Sequence, residues 1–148
     1  MIYLDTSALV KRYVEEKGSV VIGDIFNAGQ RLLTSRVAYA ESLAAFFRRW
    51  REGGILKEDL NSICQRFEWE WDARFDIIGL TDAVSRHIRE LIGKYPLRGF
   101  DAIHLASALL IKDRIDEEST FVCSDRNLLD AAGKEGFKTL NPEQCSLA

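Results

Sequence analysis

Short apolar runs alternate along this chain with segments of helical period, and that order constrains the fold more than any other property of the sequence. Ile2 to Leu4, Leu32 to Thr34, Phe75 to Leu80, Thr120 to Cys123 and Phe137 to Leu140 read as strands. Between them, helices are expected over Ala8–Val14, Val20–Ala28, Arg36–Trp50, Lys57–Asp72, Asp82–Lys94, Asp101–Asp113 and Asn127–Lys134. The first has Leu9/Tyr13 and Val10/Val14 at i,i+4 spacing, and Gly53-Gly54 and Gly136 stop two of the others. Strands that alternate with helices imply βαβ units and a parallel sheet covered on both faces. The expected architecture is therefore a three-layer α/β domain over residues 1–148, with a mainly parallel central sheet of about five strands. Two consecutive helices after the second strand, Arg36–Trp50 and Lys57–Asp72, are expected to form a hairpin beside the sheet's carboxyl edge.

Composition agrees with this frame. The chain has 148 residues, 47% hydrophobic and 29% charged, which is too balanced for disorder. No apolar run approaches the ~20 residues a membrane helix needs, and Asp5 interrupts a signal-peptide reading of the N-terminus. The three cysteines, Cys64, Cys123 and Cys145, lack the paired spacing of a zinc or redox motif, so a cytoplasmic setting with reduced thiols is expected. The net charge of −3 argues mildly against a nucleic-acid partner, although an acidic site would account for several of those charges. Basic side chains at Lys11, Arg12, Arg36, Arg48, Arg49, Arg51, Arg86, Arg89, Lys94, Arg98 and Arg126 read mostly as scattered solvated charges.

Four acids stand apart from this background. Asp5, Glu41, Asp101 and Asp125 each fall just past an apolar run or early in the helix after it. In a single parallel sheet they meet at the carboxyl edge, where open α/β folds place their sites. Close carboxylates do not stay ionised together without cations, and an all-oxygen set selects Mg²⁺ or Mn²⁺. The pattern points to metal-dependent hydrolysis of phosphate esters. Each acid also has a plainer reading. Asp5 and Asp125 could cap the helices that follow, in competition with Thr6, Ser7 and Ser124. Glu41 could pair with Arg48 or Arg49, and Asp101 could merely stabilise a first helical turn. His104, three residues past Asp101, reads as a structural residue on the same face rather than a ligand.

The sequence around these acids resembles the PIN domain family, and within it the VapC-type toxin nucleases. The resemblance rests on Ile-Tyr-Leu-Asp5-Thr-Ser-Ala-Leu-Val-Lys, Ser-Arg-Val-Ala-Tyr-Ala-Glu41, Arg-Gly-Phe-Asp101-Ala-Ile-His-Leu-Ala-Ser-Ala and Phe-Val-Cys-Ser-Asp125-Arg-Asn-Leu, in that order. It implies that Asp5, Glu41 and Asp101 are the family's acidic trio and Asp125 its more variable fourth acid. Thr6, Ser7 and Ser124 then match small hydroxyl residues near the metals. It further implies an Mg²⁺- or Mn²⁺-dependent endoribonuclease, a homodimer, and a small antitoxin protein whose tail enters the groove.

Water activated between one or two such ions would attack the phosphate in line. Tyr39, Phe46, Trp50, Trp69 and Trp71 could stack on bases, though core packing or a dimer seam is the expected home for most of them. A non-catalytic RNA- or protein-binding PIN-like module is the alternative. A phosphatase with Asp5 as nucleophile is more remote, because Ser7 stands where a second Asp would be needed.

Overall fold

The computed structural model describes residues 1–145. In chain order, β1 (Ile2–Leu4) leads to α1 (Thr6–Leu9), which tightens into a 3₁₀ turn over Val10–Arg12, and then to α2 (Ser19–Asn27). Next come β2 (Leu32–Ser35), the long pair α3 (Val37–Arg51) and α4 (Lys57–Arg74), and β3 (Phe75–Ile78). The chain closes with α5 (Asp82–Lys94), α6 (Gly99–Lys112), β4 (Thr120–Val122), α7 (Arg126–Lys134) and β5 (Lys138–Leu140).

All five strands are parallel, in the order β3-β2-β1-β4-β5. Strand side chains alternate between two cores. Ile2, Leu4, Leu32, Phe75 and Val122 face the layer of α1 to α4, whereas Tyr3, Leu33, Ile78, Phe121 and Cys123 face α5 to α7. Burial on both faces explains why the strands read as unbroken apolar runs. The first core is rich in aromatics: Tyr13, Phe46, Phe67 and Trp71 meet at centroid distances of 5.2–5.7 Å. Edge-to-face pairs of this kind add about 0.5–1.5 kcal/mol each beyond their buried area.

The architecture is the three-layer α/β fold expected from the alternation, with α3 and α4 packed against each other as the hairpin after β2. Boundaries differ where local chemistry intervenes. The helix expected over Ala8–Val14 is one α-turn plus a 3₁₀ turn, and Tyr13 and Val14 leave it to pack into the core. β3 stops at Ile78, because Gly79 to Thr81 make the turn in which Thr81 caps α5. α6 begins two residues earlier than Asp101, which makes Asp101 a first-turn residue. Gly18 starts α2 at φ 93°, and a Cβ there would lie 3.0 Å from the Pro142 backbone, so only glycine fits.

Candidate active site

β1 is the switch point of the sheet: β2 lies on one side of it and β4, reached after more than a hundred residues, on the other. Asp5 follows β1 and Asp125 follows β4, so these acids flank the crevice between the two strand ends. α3 carries Glu41 and the first turn of α6 carries Asp101 into the same place. All four acids line a single cavity of about 460 Å³ with Thr6, Ser7 and His104, and Arg48 and Arg98 complete its wall.

Each acid is held differently. Asp5 is 5% exposed, and its Oδ1 accepts from the Ser7 hydroxyl at 2.7 Å and from the Ala8 N–H at 3.1 Å. It therefore caps α1, and neither Thr6 nor Ser7 competes for that role. Burial pushes its carboxyl above the usual range, against the pull of His104 and of these hydrogen bonds. Glu41 is half-buried. Its Oε1 accepts from Thr6 Oγ1 at 2.7 Å and lies 2.8 Å from His104 Nε2. Burial raises the Glu41 carboxyl, but His104, Thr6 and the Arg98 charge outweigh it and hold it below the usual range. No ion pair forms between Glu41 and Arg48 or Arg49, and Arg49 instead meets Glu16.

Asp101 Oδ2 accepts from the Arg98 backbone N–H at 3.1 Å and from Arg98 Nε at 3.2 Å. Asp125 caps α7 through Leu128 N–H at 2.9 Å, and its Oδ2 lies 3.8 Å from Arg98 Nη2. Ser124 offers its backbone N–H to Ser7 Oγ at 2.9 Å, which ties the ends of β1 and β4 together. Three acids thus stabilise helix starts and also face the cavity. The plainer reading of Asp5, Asp101 and Asp125 is thus realised, and their place on the cavity wall is compatible with the other.

Among the described residues, no three His, Cys, Asp or Glu groups converge tightly enough to hold a metal ion. The acids meet N–H and O–H donors and Arg98, a guanidinium within reach of both Asp101 and Asp125. The donor set itself, four carboxylates with Thr and Ser hydroxyls, has the hard-oxygen chemistry that Mg²⁺ or Mn²⁺ requires.

Spacing alone did not identify Arg48 and Arg98 as cleft residues, nor the burial of Lys11 against Glu16 and Glu143. Lys11 and Arg12 are structural rather than solvated, and Arg12 pairs with Glu70 at 2.8 Å. Of the aromatics, Phe46 and Trp71 are core residues, Tyr39 and Trp50 pack against that core, and Trp69 is 67% exposed. A second, largely apolar cavity of about 550 Å³ adjoins the cleft and shares Glu41, Arg98 and Asp101 with it. No helix among the described residues is long and apolar enough to cross a membrane.

Comparison with known proteins gives this geometry a lineage. The family model of the PIN domain matches residues 2–134. Ribonuclease VapC45 of Mycobacterium tuberculosis (strain CDC 1551 / Oshkosh) is 34% identical over 113 residues, 76% of this chain and 78% of its own. Ribonuclease VapC47 of the same strain is 32% identical over 146 residues, 96% of this chain and 97% of its own. Among solved structures, a toxin-antitoxin complex from Klebsiella pneumoniae superposes with a TM-score of 0.67 at 16% identity, covering 96% of this chain and 98% of the matched one. VapBC2 from Rickettsia felis, bound to a DNA fragment from its promoter, gives a TM-score of 0.63 at 16% identity over 95% and 98%. At that identity the structures speak for the fold alone. The profile match over most of the chain and the identity to VapC ribonucleases speak for descent: the chain belongs to the PIN domain family, in its VapC-type branch.

Proposed function

We propose that this chain is a divalent-metal-dependent endoribonuclease and the toxin of a toxin–antitoxin pair, acting as one nuclease domain over residues 1–148. The observation that carries the reading is the convergence of Asp5, Glu41, Asp101 and Asp125 on one cavity at the sheet's switch point. The relatives named VapC ribonucleases support RNA as the substrate. The toxin-antitoxin complexes among the fold neighbours support a protein antitoxin as partner. A homodimer in the cytoplasm is part of the same proposal, in keeping with the free thiols of Cys64, Cys123 and Cys145.

In this reading Asp5, Glu41, Asp101 and Asp125 hold Mg²⁺ or Mn²⁺. The ion's contribution is to acidify a water and to neutralise charge on the phosphate. The chain's own groups do the rest. Ser7 and the α1 N-terminus fix Asp5, and Thr6 fixes Glu41. Arg98, with its side chain 81% exposed, and Arg48 supply positive charge for the RNA backbone at the cavity wall. The Ser7 hydroxyl donates to Asp5 and accepts from the Ser124 N–H, so it is assigned to supporting Asp5 and not to attacking the phosphate.

The test is cleavage of a mixed cellular RNA pool by purified protein with EDTA, Mg²⁺ or Mn²⁺, beside Asp5→Asn. Metal-dependent cuts that disappear in Asp5→Asn support the nuclease. RNA binding without cleavage, equal in wild type and Asp5→Asn, would replace it with a binding module.

A further inference from the structure

His104 is a polar ring in an apolar place. It sits on α6 among Leu105, Ala106, Ala108 and Leu109, is 2% exposed, and has both nitrogens engaged. Nδ1 lies 2.9 Å from the hydroxyl of Tyr3, a wholly buried side chain of β1. Nε2 lies 2.8 Å from Glu41 Oε1 and 3.2 Å from Thr6 Oγ1.

A phenol at neutral pH is an O–H donor, and a carboxylate is only an acceptor. With the neutral ring, one assignment satisfies every partner: Tyr3 O–H donates to Nδ1, and Nε2–H donates to Glu41. The cost of burying an unpartnered polar group favours that pairing. The Tyr3 ring is itself fixed, stacked on Phe121 at 5.0 Å and 12°.

We propose that His104, oriented by Tyr3, is the positioning residue for Glu41: it anchors Oε1 so that the same carboxylate presents its other oxygen to the cleft. The inference rests on the nuclease reading and deepens it. Glu41 comes from the middle of the first two turns of α3 and has three rotatable side-chain bonds. Nothing on its own helix restrains it, because its neighbours Val37, Ala38, Ala44 and Ala45 cannot donate side-chain hydrogen bonds. Its restraint comes from two other elements, Thr6 on α1 and His104 on α6. Thr6 alone leaves the carboxylate free to swing about one contact, whereas a second donor at the same oxygen fixes the swing. The relay also joins β1, α3 and α6, which each carry or immediately precede one of the acids.

The experiment measures Mn²⁺ affinity by calorimetry on metal-free protein, without RNA, for wild type, Asp5→Asn, His104→Leu, His104→Gln and Tyr3→Phe. Partners that orient a metal ligand are worth about 10–100-fold in affinity. His104→Leu keeps the volume and removes both hydrogen bonds, so Mn²⁺ affinity falls by that factor. The Gln amide nitrogen can reach the place of Nε2, so His104→Gln recovers most of the loss. Tyr3→Phe loses only the orienting hydroxyl and falls by severalfold. In RNA cleavage the same variants lower kcat and leave the KM for RNA within twofold.

Wild-type affinity in His104→Leu, while Asp5→Asn has lost it, overturns the positioning role and leaves the nuclease standing. So does a His104→Gln that falls as far as His104→Leu at an unchanged melting temperature, since bulk rather than the donor would then matter. A wild type that binds no Mn²⁺ overturns both readings. Should His104→Leu fail to fold, Tyr3→Phe decides: affinity equal to wild type overturns the relay.

Discussion

Asp5 at the end of β1 and Glu70 on α4 are almost equally hidden from solvent, at 5% and 4% exposure, but the protein treats their charges in opposite ways. Glu70 meets a cation of the chain's own: Arg12 places Nη2 2.8 Å from Oε1 and Nε 3.3 Å from Oε2. Burial alone would raise its carboxyl, but Arg12, the neighbouring Tyr13 and Arg66 hold it below the usual range. Asp5 receives only neutral donors and the distant help of His104, so burial wins and its carboxyl is raised. One is an ion pair within the chain, and the other is a helix cap held by neutral donors at the cavity. The contrast separates a carboxylate neutralised inside the fold from one whose burial is not offset by a cationic side chain.

Removing the acid that lacks a partner has the largest expected consequence. Asp5→Asn keeps the α1 cap, since Asn caps as well as Asp, yet metal-dependent RNA cleavage should fall by more than the ~100-fold that marks loss of a ligand's supporting partner. Retained cleavage at wild-type rate would remove Asp5 from the site.

Arg12→Leu strikes the other region. It strands Glu70 in the interior, at a cost on the order of 3 kcal/mol, or roughly 6–12 °C in Tm for a chain of this size. An unchanged thermal midpoint would show that the pair contributes nothing net and that the contrast is only geometric.

A smaller effect has the opposite sign. A raised carboxyl such as Asp5 favours folding below its unfolded pKa, about 3.9, and that contribution is lost as pH rises through the higher folded value. At pH 7 in EDTA, Asp5→Asn should therefore melt a few degrees above wild type. The gap should close in millimolar Mn²⁺, which stabilises only the wild type. A mutant that melts below wild type in EDTA would mean that the Asp5 charge is already compensated.

Glu70 gives the mildest and most diagnostic prediction. Its lowered carboxyl contributes stability above its unfolded pKa, about 4.3, and the contribution is lost as pH falls through the folded value. Stability of wild type and Glu70→Gln, followed by urea titration, should differ most at neutral pH and converge in that acid window. A constant gap across the window would place the depression elsewhere.

The two regions were not equally legible in the sequence. Asp5 was visible because a strand end followed by capping residues is a local pattern, and so were Asp101 and Asp125. The Arg12–Glu70 pair, 58 positions apart, has no local signature, and Lys11 and Arg12 looked like ordinary surface charges. His104 was legible as a structural residue, but its link to Glu41 spans 63 positions and depends on how α6 packs against the sheet beside β2. The dual place of Asp5 and Asp125 as caps and cavity residues was also hidden, because sequence presents a cap and a cleft residue as rivals while a helix that starts at the cleft makes them one residue. Shape and the parallel sheet fell to the alternation of strands with helices. The tightening of α1 into a 3₁₀ turn did not, since Tyr13 and Val14 are pulled out of helical register by a core assembled from α3 and α4.

The place of β4 beside β1 has a consequence for the order in which the protein comes into being. β1 is made long before β4, yet one of its two hydrogen-bonding edges is filled only by Thr120–Val122. Pairing across so long a separation comes late and slowly. Until the ribosome has released that strand, the crevice has one wall, Asp125 does not exist, and Ser7 has no Ser124 to hold. A growing chain that has not yet reached β4 thus lacks one wall of the crevice and one of its four acids, however well its earlier elements have folded.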